Sequence, residues 1–329
     1  MGNSLMPLLK LRDLTVSFSS GKDAIKVVSG LNLEIEEARV FGLVGESGCG
    51  KSLTALSIMG ILPYHALAEG EILFKGKNLL SLDKESMRRL RGKELSMIFQ
   101  EPMTSLNPVL TIGYQVAEVL MTHFGMKKHE AMGKTVELLR SVKIPSPEIR
   151  VHEYPHQMSG GMRQRVMIAM AIACNPSLLI ADEPTTALDV TIQAQILDLL
   201  RSLRQQRNMA ILLITHDIGV IAENADVAAV MYAGRIVEFS RVMNILTAPK
   251  HPYTMGLLDS LPKQKGIPLK PIPGSVPSPD KLPSGCKFSD RCRYVNPECR
   301  REEPALREIT HGQHARCIRS EEIEWVSSM

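Results

Sequence analysis

A glycine-rich segment near residue 50 has the residue types and spacing of a phosphate-binding loop. Residues Gly45 to Ser52 read GESGCGKS, which fits G-x-x-x-x-G-K-[ST], and they follow the apolar run Val40 to Val44. Glycines let backbone N–H groups approach phosphate oxygens, and the N-terminus of the helix that follows favours an anion. In this pattern Lys51 would reach the β and γ phosphates and the Ser52 hydroxyl would be a Mg²⁺ ligand. The segment therefore predicts a nucleoside triphosphate site rather than a simple strand-to-helix turn.

Two adjacent acids follow a later apolar run. Residues Leu178 to Pro184 read LLIADEP, a strand-like segment that ends in Asp182 and Glu183. Beside a phosphate-binding loop, Asp182 would hold Mg²⁺, directly or through water, and Glu183 would polarise the attacking water. Taken alone, two acids after a strand are as often a solvated loop. The upstream GESGCGKS segment favours the catalytic interpretation.

A second candidate anion site lies between these two segments. Residues Met158 to Arg165 read MSGGMRQR, and an apolar helix-like run follows them as far as Pro176. Ser159 is a good N-cap residue, and Gly160 and Gly161 would expose backbone amides at the start of the helix. An ordinary capped helix is the alternative interpretation.

The cysteines are unevenly distributed. Cys49 and Cys174 are isolated, and the other four are close to the C-terminus, at separations of 6, 7 and 18 residues: Cys286, Cys292, Cys299 and Cys317. No C-x-x-C pair is present, so the commonest spacing of a structural zinc site is missing. Four thiolates can hold either Zn²⁺ or an iron–sulfur cluster, and His311 or His314 could replace one cysteine in a zinc site.

The elements around these motifs predict an α/β chain. Short strand-like runs between Leu8 and Phe74 predict a small antiparallel sheet that includes Val40 to Val44, and residues 101–158 read as helical. Apolar runs that begin at Leu178, Ile211 and Val227 then alternate with helices, which is typical of a mostly parallel sheet. After Leu261 the sequence becomes rich in Pro and Gly. We therefore predict one domain over residues 1–262, with a helical subdomain over about 101–165, and a linker with a cysteine-bearing extension over 263–329.

Composition excludes several classes of protein. The chain has 329 residues, 44% of them hydrophobic, and a net charge of only +4. These values are ordinary for a globular protein and give no reason to expect a nucleic-acid partner. The longest apolar candidate, VMIAMAIAC, is about half the length of a membrane span. The N-terminal residues do not read as a signal peptide.

In combination, these motifs resemble the nucleotide-binding domain of ABC ATPases. Ser159 stands 23 residues before Asp182, and ITHD follows the next strand-like run, so the resemblance covers about Leu8 to Ser260. It implies a P-loop ATPase fold with a RecA-like core, an antiparallel β-subdomain and a helical subdomain. It also implies head-to-tail dimers, in which Ser159, Gly160 and Gly161 complete the ATP site of another subunit. Met162 departs from the family's usual Gln after SGG.

The resemblance assigns roles to matching residues. Gln100 corresponds to the glutamine that senses Mg²⁺ and the membrane partner, and His216 to the histidine that contacts the γ-phosphate. Asp189 corresponds to the D-loop aspartate, and Phe18 falls where the family stacks an aromatic ring on adenine, although Phe18 also fits a routine core position. The phosphate loop would contact the nucleotide through Gly45, Ser47, Gly48, Cys49, Gly50, Lys51, Ser52 and Leu53.

Further segments resemble the ATP-binding subunits of dipeptide, oligopeptide and nickel importers. They include FQEPMTSLNP from Phe99, YPHQMSGG from Tyr154, HPYTMGLL from His251, and the tail GCKFSDRC with its later cysteines. This resemblance implies an ATPase that powers peptide import from the cytoplasmic face of the inner membrane. Its partners would be two permease subunits, a paralogous ATP-binding subunit or a second copy, and an extracytoplasmic binding protein. It also implies a [4Fe–4S] cluster on the four cysteines, with zinc as the alternative.

Other functions stay open at this point. Importers of nickel chelates or glutathione-like molecules have closely similar ATPase subunits. A non-transport ABC ATPase would usually have two cassettes or long coiled-coil arms, and this chain has neither pattern. A redox enzyme built on the four cysteines lacks any flavin or nicotinamide fingerprint.

Overall fold

The computed structural model describes residues 6–20, 23–100, 105–186, 188–261 and 271–325. The predicted boundary near residue 262 and the predicted start of the helical subdomain at residue 101 lie outside the described residues. The chain forms two compact units. The first contains Met1–Ile35, Val40–Leu80 and Leu213–Met329, and the second contains Glu36–Arg39 and Ser81–Leu212.

An antiparallel sheet forms one part of the first unit. Its strands, numbered in chain order, are β1 (Leu9–Ser20), β2 (Asp23–Ile35), β4 (Ala66–Phe74) and β5 (Lys77–Asn78), in the order β2-β1-β4-β5. The central strand β1 pairs Leu9 with Ile35 on one side and with Phe74 on the other. Leu9 and Leu11 are buried, as their alternation with polar residues predicts. The predicted antiparallel sheet is confirmed.

A second sheet in the first unit carries the phosphate loop. Its strands are β3 (Val40–Val44), β9 (Val227–Tyr232), β10 (Arg235–Arg241), β11 (Arg307–Thr310) and β12 (Gln313–Ala315), in the order β11-β12-β10-β9-β3. Strand β3 is buried at every residue and pairs in parallel with β9, with Val44 opposite Val230. The sequence interpretation placed β3 in the antiparallel sheet, which is wrong. A run buried on both faces belongs in a parallel sheet.

The helices of the first unit follow its strands. They are α1 (Lys51–Met59), α8 (Ile218–Asn224), α9 (Val242–Thr247) and α10 (Pro252–Asp259). The described part of the cysteine-bearing extension, residues 271–325, adds the strands β11 and β12. It also has three 3₁₀ turns, at Pro279–Lys281, Ser289–Arg291 and Pro297–Arg300.

A buried carboxylate joins the extension to the rest of the first unit. Glu238 of β10 is 0% exposed and accepts hydrogen bonds from the backbone N–H groups of Lys250 (2.7 Å) and His251 (2.9 Å). The side-chain amide of Gln313, in β12, donates a third bond to it at 3.1 Å. Burial raises the pKa of Glu238. The carboxylate therefore links β12 to β10 and to the segment that precedes α10.

The second unit contains most of the helices found in the described ranges. It contains α2 (Lys84–Leu90), β6 (Leu95–Ile98), α3 (Ile112–Phe124), α4 (Lys128–Ser141), α5 (Pro147–Arg150), α6 (Gly160–Ile172), β7 (Leu178–Asp182) and α7 (Val190–Arg207). Strand β8 (Ala210–Thr215) runs across the boundary between the units in the sequence. Strands β6 and β7 are parallel, with Ile98 opposite Ala181. The helices predicted between residues 101 and 158 are confirmed as α3 and α4.

None of the helices in the described ranges is both long and apolar enough to cross a membrane.

Candidate functional site

The phosphate loop connects β3 to α1 in the first unit. Gly48 and Gly50 have φ angles of 80° and 105°, which favour glycine because a Cβ atom strains the backbone there. Gly45 needs glycine for a different reason: a Cβ built on it would lie 2.1 Å from the carbonyl oxygen of Met231, in β9. A Cβ built on Gly48 would meet nothing within 4 Å. The base of the loop is therefore packed tightly against β9, and its tip is open.

The polar groups of this loop are arranged around Lys51. The Lys51 side chain is buried, and its ammonium donates hydrogen bonds to the carbonyl oxygens of Gly45 (2.7 Å) and Glu46 (3.1 Å). Cys49 is also buried, and burial raises the pKa of its thiol. The remaining predicted contact residues are accessible: Ser47 and Gly48 are exposed, and Ser52 and Leu53 are half-buried.

Two residues that the sequence interpretation missed hold the loop at Glu46. The backbone N–H of Glu46 donates to the hydroxyl of Tyr253 at 2.8 Å. The Glu46 carboxylate accepts two hydrogen bonds from the guanidinium of Arg291, at 2.6 and 2.9 Å. Arg291 lies 245 residues further along the chain, in the extension. No local pattern in the sequence indicates this pair.

The other predicted residues of the first unit are His216 and Phe18. His216 is exposed in the turn between β8 and α8. In that turn the carboxylate of Asp217 accepts the N–H of Gly219 at 2.7 Å, and the Asp217 N–H donates to the Thr215 hydroxyl at 3.1 Å. These bonds fix the backbone on both sides of His216. Phe18 is half-buried in β1, so its ring keeps an accessible part.

In the second unit, Asp182 is the last residue of β7 and Glu183 directly follows that strand. Asp182 and Glu183 are 3% and 8% exposed, and Glu183 has a φ angle of +46°. Such a conformation costs about 1–3 kcal/mol in a residue other than glycine, and it persists only where neighbours hold it. The Glu183 carboxylate accepts hydrogen bonds from the amide of Gln100 (3.0 Å) and from the hydroxyl of Thr186 (2.9 Å). The structure thus brings Gln100 and Glu183 together, and it adds Thr186, which the sequence interpretation missed.

The serine-glycine segment begins α6, as predicted. The Ser159 hydroxyl accepts the N–H of Met162 at 3.3 Å, which confirms Ser159 as the N-cap. Gly160 is exposed, and a Cβ built on it would lie at an ordinary 3.5 Å from the side chain of Leu188. A Cβ on Gly161 would instead lie 2.8 Å from Ile192. Packing within this unit therefore explains a glycine at position 161 but does not require one at position 160.

Asp189 has a structural role in the second unit. Its carboxylate accepts the N–H of Ile192 at 2.9 Å and caps α7. Its side chain is exposed, so a further partner can reach it.

The four clustered cysteines line one cavity in the first unit: Cys286, Cys292, Cys299 and Cys317. The sulfurs of Cys292 and Cys317 each accept a backbone N–H, from Tyr294 and Arg319, at 3.4 Å. Burial raises the pKa of Cys286 to about 11 and that of Cys317 to about 12. His311 and His314 are not among the residues that line this cavity.

The cysteines do not form a site for a single metal ion. Within the described ranges, no group of three or more His, Cys, Asp or Glu side chains is arranged to hold one. The four cysteines of the predicted metal site therefore line one cavity, but they are not arranged to bind one metal ion.

Comparisons with known proteins agree with these motifs. A family model described as "ABC transporter" matches residues 28–186, and one described as "Oligopeptide/dipeptide transporter, C-terminal region" matches residues 237–299. An oligopeptide transport ATP-binding protein from Bacillus subtilis is 50% identical over 319 residues, which cover 96% of this chain and 97% of that protein. The chain belongs to the ATP-binding subunits of ABC transporters.

Other relatives of this ABC subunit support the same assignment. The dipeptide transport ATP-binding protein of Escherichia coli is 47% identical over 315 residues, 95% of this chain and 96% of that one. Among solved structures, a dimeric bacterial ABC transporter cassette has a TM-score of 0.64 and 28% identity, covering 71% of this chain and 98% of that one. A dimeric cassette in a post-hydrolysis state, bound to ADP and Pi, has the same TM-score at 27% identity and covers the same shares of the two chains. The predicted fold class and ATPase activity are confirmed.

Proposed function

We propose that this ABC ATPase powers the import of peptides of the dipeptide and oligopeptide class. The support is the match of residues 237–299 to the transporter C-terminal region, together with relatives named for oligopeptide and dipeptide transport that match over 95% or more of this chain. Its partners would be two permease subunits and a second ATP-binding subunit, paralogous or identical, at the cytoplasmic face of the membrane. An extracytoplasmic binding protein would deliver the peptide.

The phosphate loop would bind the nucleotide through its backbone and Lys51. Gly48 and the exposed tip leave the N–H groups accessible to phosphate oxygens, and the Lys51 ammonium would exchange its carbonyl acceptors for the β and γ phosphates. Ser52 in the first unit, and Gln100 and Asp182 in the second, each offer an oxygen donor of the kind that Mg²⁺ prefers. Mg²⁺, when bound, neutralises charge that develops on the phosphates.

Glu183 would act as the general base for hydrolysis. The observation that carries this role is the pair of hydrogen bonds from Gln100 and Thr186, which holds one carboxylate oxygen and orients the other. The other oxygen can then accept a proton from the attacking water. His216 would contact the γ-phosphate, and the exposed Gly160 and Asp189 would face another subunit's ATP.

The substitution Glu183→Gln tests this assignment. It keeps the volume and one acceptor oxygen for Thr186 but removes the base, so turnover should fall ~10²–10⁴-fold while ATP binding stays within about threefold. Glu137→Gln, at an exposed position of α4, is the matched control and should retain full turnover. Near-normal turnover of Glu183→Gln would contradict the assignment.

Membrane recruitment tests the transport role. Expressed together with its permease subunits, the tagged chain should purify from detergent-solubilised membranes in a complex with both permeases, and peptide uptake should require it. A nickel-chelate importer is the second candidate. It would show the same complex but would take up nickel chelates instead of peptides.

The four cysteines would hold a [4Fe–4S] cluster. Four soft thiol donors on one cavity, two of them accepting backbone N–H bonds, suit such a cluster. When bound, the cluster would crosslink the extension and make it sensitive to oxidation. Protein purified without oxygen should contain about four iron atoms and four sulfides per chain. Cys299→Ser should lose them and Cys174→Ser should keep them, whereas one zinc per chain would contradict the cluster.

A further inference from the structure

We propose that Arg291, in the cysteine-bearing extension, is a positioning residue for ATP binding, and that it acts through Glu46 of the phosphate loop. The proposal rests on the proposed nucleotide site of this loop. It gives the extension a direct role at that site, independent of whether the cysteines hold a cluster. All the residues involved lie in the first unit.

The Arg291 side chain is buried, and its guanidinium makes a bidentate contact with a carboxylate. Its side chain is only 5% exposed, and its two terminal nitrogens donate to the two carboxylate oxygens of Glu46 at 2.6 and 2.9 Å. The remaining nitrogen, Nε, donates to the carbonyl of Pro273 at 2.7 Å. The guanidinium carbon lies 5.7 Å from the centre of the Tyr232 ring. The Glu46 side chain is 31% exposed, and a partly buried bidentate pair of this kind is stronger and more directional than a surface ion pair.

Glu46 transmits this contact to the residues of the loop. Its N–H is held by the Tyr253 hydroxyl, and its carbonyl oxygen accepts a bond from the ammonium of Lys51. The side chain, the N–H and the carbonyl of one residue are therefore all engaged. Any shift of Arg291 would therefore move Glu46 and, with it, the carbonyl oxygen that accepts a hydrogen bond from Lys51.

The charge of Glu46 gives the pair a second consequence. A carboxylate in a loop that binds a triphosphate opposes the ligand's negative charge, and at short range in a partly buried site this opposition is substantial. Arg291 neutralises this carboxylate. The two substitutions of the pair should therefore change ATP affinity in opposite directions.

Arg291→Gln would leave the Glu46 carboxylate uncompensated beside the phosphates. The dissociation constant for ATP should rise about tenfold, which corresponds to about 1.4 kcal/mol, and KM should rise more than kcat falls. Glu46→Gln would keep a hydrogen-bonding partner for Arg291 but leave the guanidinium uncompensated, so ATP should bind about two- to threefold more tightly. The double variant should return to within about twofold of the wild-type protein.

The experiment is a titration of the purified full-length chain with a fluorescent ATP analogue and Mg²⁺, paired with steady-state ATPase measurements of the transporter complex. Arg300→Gln is the matched control, because Arg300 pairs with Asp290 in the same extension and both side chains are more than half exposed. Its ATP affinity should not change. Lys51→Ala should abolish nucleotide binding; if it does not, the proposed nucleotide site itself is wrong.

The outcomes separate an electrostatic positioning role from a merely structural one. If Arg291 only stabilised the extension, both single variants would weaken ATP binding and the double variant would be no better than either. That result, or unchanged affinity in Arg291→Gln while Lys51→Ala loses binding, would overturn the proposal. Should Arg291→Gln fail to fold, Glu46→Gln still decides: tighter ATP binding supports the proposal, and weaker or equal binding overturns it.

Discussion

Replacing Gly45 by alanine should damage the phosphate loop more than any other single methyl addition to it. The new Cβ would lie 2.1 Å from the carbonyl oxygen of Met231 and 3.0 Å from the sulfur of Cys49. Because real Cβ atoms essentially never approach closer than 3.0 Å, the start of the loop must move away from β9 by about 1 Å. The neighbour is backbone, so no side chain can rotate to relieve the overlap.

The magnitude follows from this displacement. A shift of about 1 Å in groups that position a reacting phosphate costs ~10²-fold in kcat/KM, and overpacking at a buried position costs about 1–3 kcal/mol of folding free energy. The assay is the ATPase rate as a function of ATP concentration, together with thermal unfolding followed by circular dichroism. Gly133→Ala is the matched control: the added Cβ would meet nothing within 4 Å in α4, so it should leave kcat/KM unchanged and stabilise the helix by ~1 kcal/mol. A Gly45→Ala protein with kcat/KM within threefold of the wild type would refute this reasoning.

Two other predictions concern the second anion site and the response to acid. Gly160→Ala should fold with an unchanged melting temperature, because its methyl group makes only an ordinary 3.5 Å contact with Leu188. The turnover of the assembled transporter should nevertheless fall ~10²-fold. Normal turnover would contradict a role for this exposed residue in binding another subunit's ATP. Burial lowers the pKa of His251 to about 3, below the value of about 6.5 in an unfolded chain. The neutral buried imidazole therefore contributes its full share to the free energy of unfolding above pH 6.5, and that share is lost as the pH falls and the unfolded chain takes up a proton. Urea unfolding should show a loss of about 1 kcal/mol between pH 6.5 and 5.5 that His251→Asn removes, and an equal slope in both proteins would contradict this origin.

The parts of the site that the sequence predicted are those that local patterns encode. Three of these patterns depend only on neighbouring residues. The structure has the apolar run Val40–Val44 as a strand, the GESGCGKS segment as the loop after it, and Ser159 as the N-cap of a helix. The role of Gln100 came from the family resemblance and that of Glu183 from the LLIADEP segment, and their hydrogen bond at 3.0 Å joins residues 83 positions apart. The roles assigned to Phe18, His216 and Asp189 stay predictions.

The parts that the sequence did not predict depend on tertiary contacts. Arg291 is one of several arginines in a charged tail, and nothing near it in the sequence distinguishes it from Arg293 or Arg300. Only the fold shows that it is buried and paired with Glu46. Strands β11 and β12 have four and three residues, too few for alternation to be recognised, so the extension read as a linker with cysteines. The sheet assignment of β3 failed because a short apolar run does not reveal its partner.

The pairing of β12 with β10 has a practical consequence for anyone who wishes to study the cassette without its extension. Glu238 and Phe239 of β10 face Ala315 and His314 of β12, so a truncated protein that ends before residue 271 would uncover a row of unsatisfied backbone groups. Bare strand edges recruit other chains and cause aggregation. Loss of Gln313 would also take one donor from the Glu238 carboxylate. The inactivity of a truncated protein that aggregates would say nothing about the cysteines, and point substitutions are the informative tool for this part of the molecule.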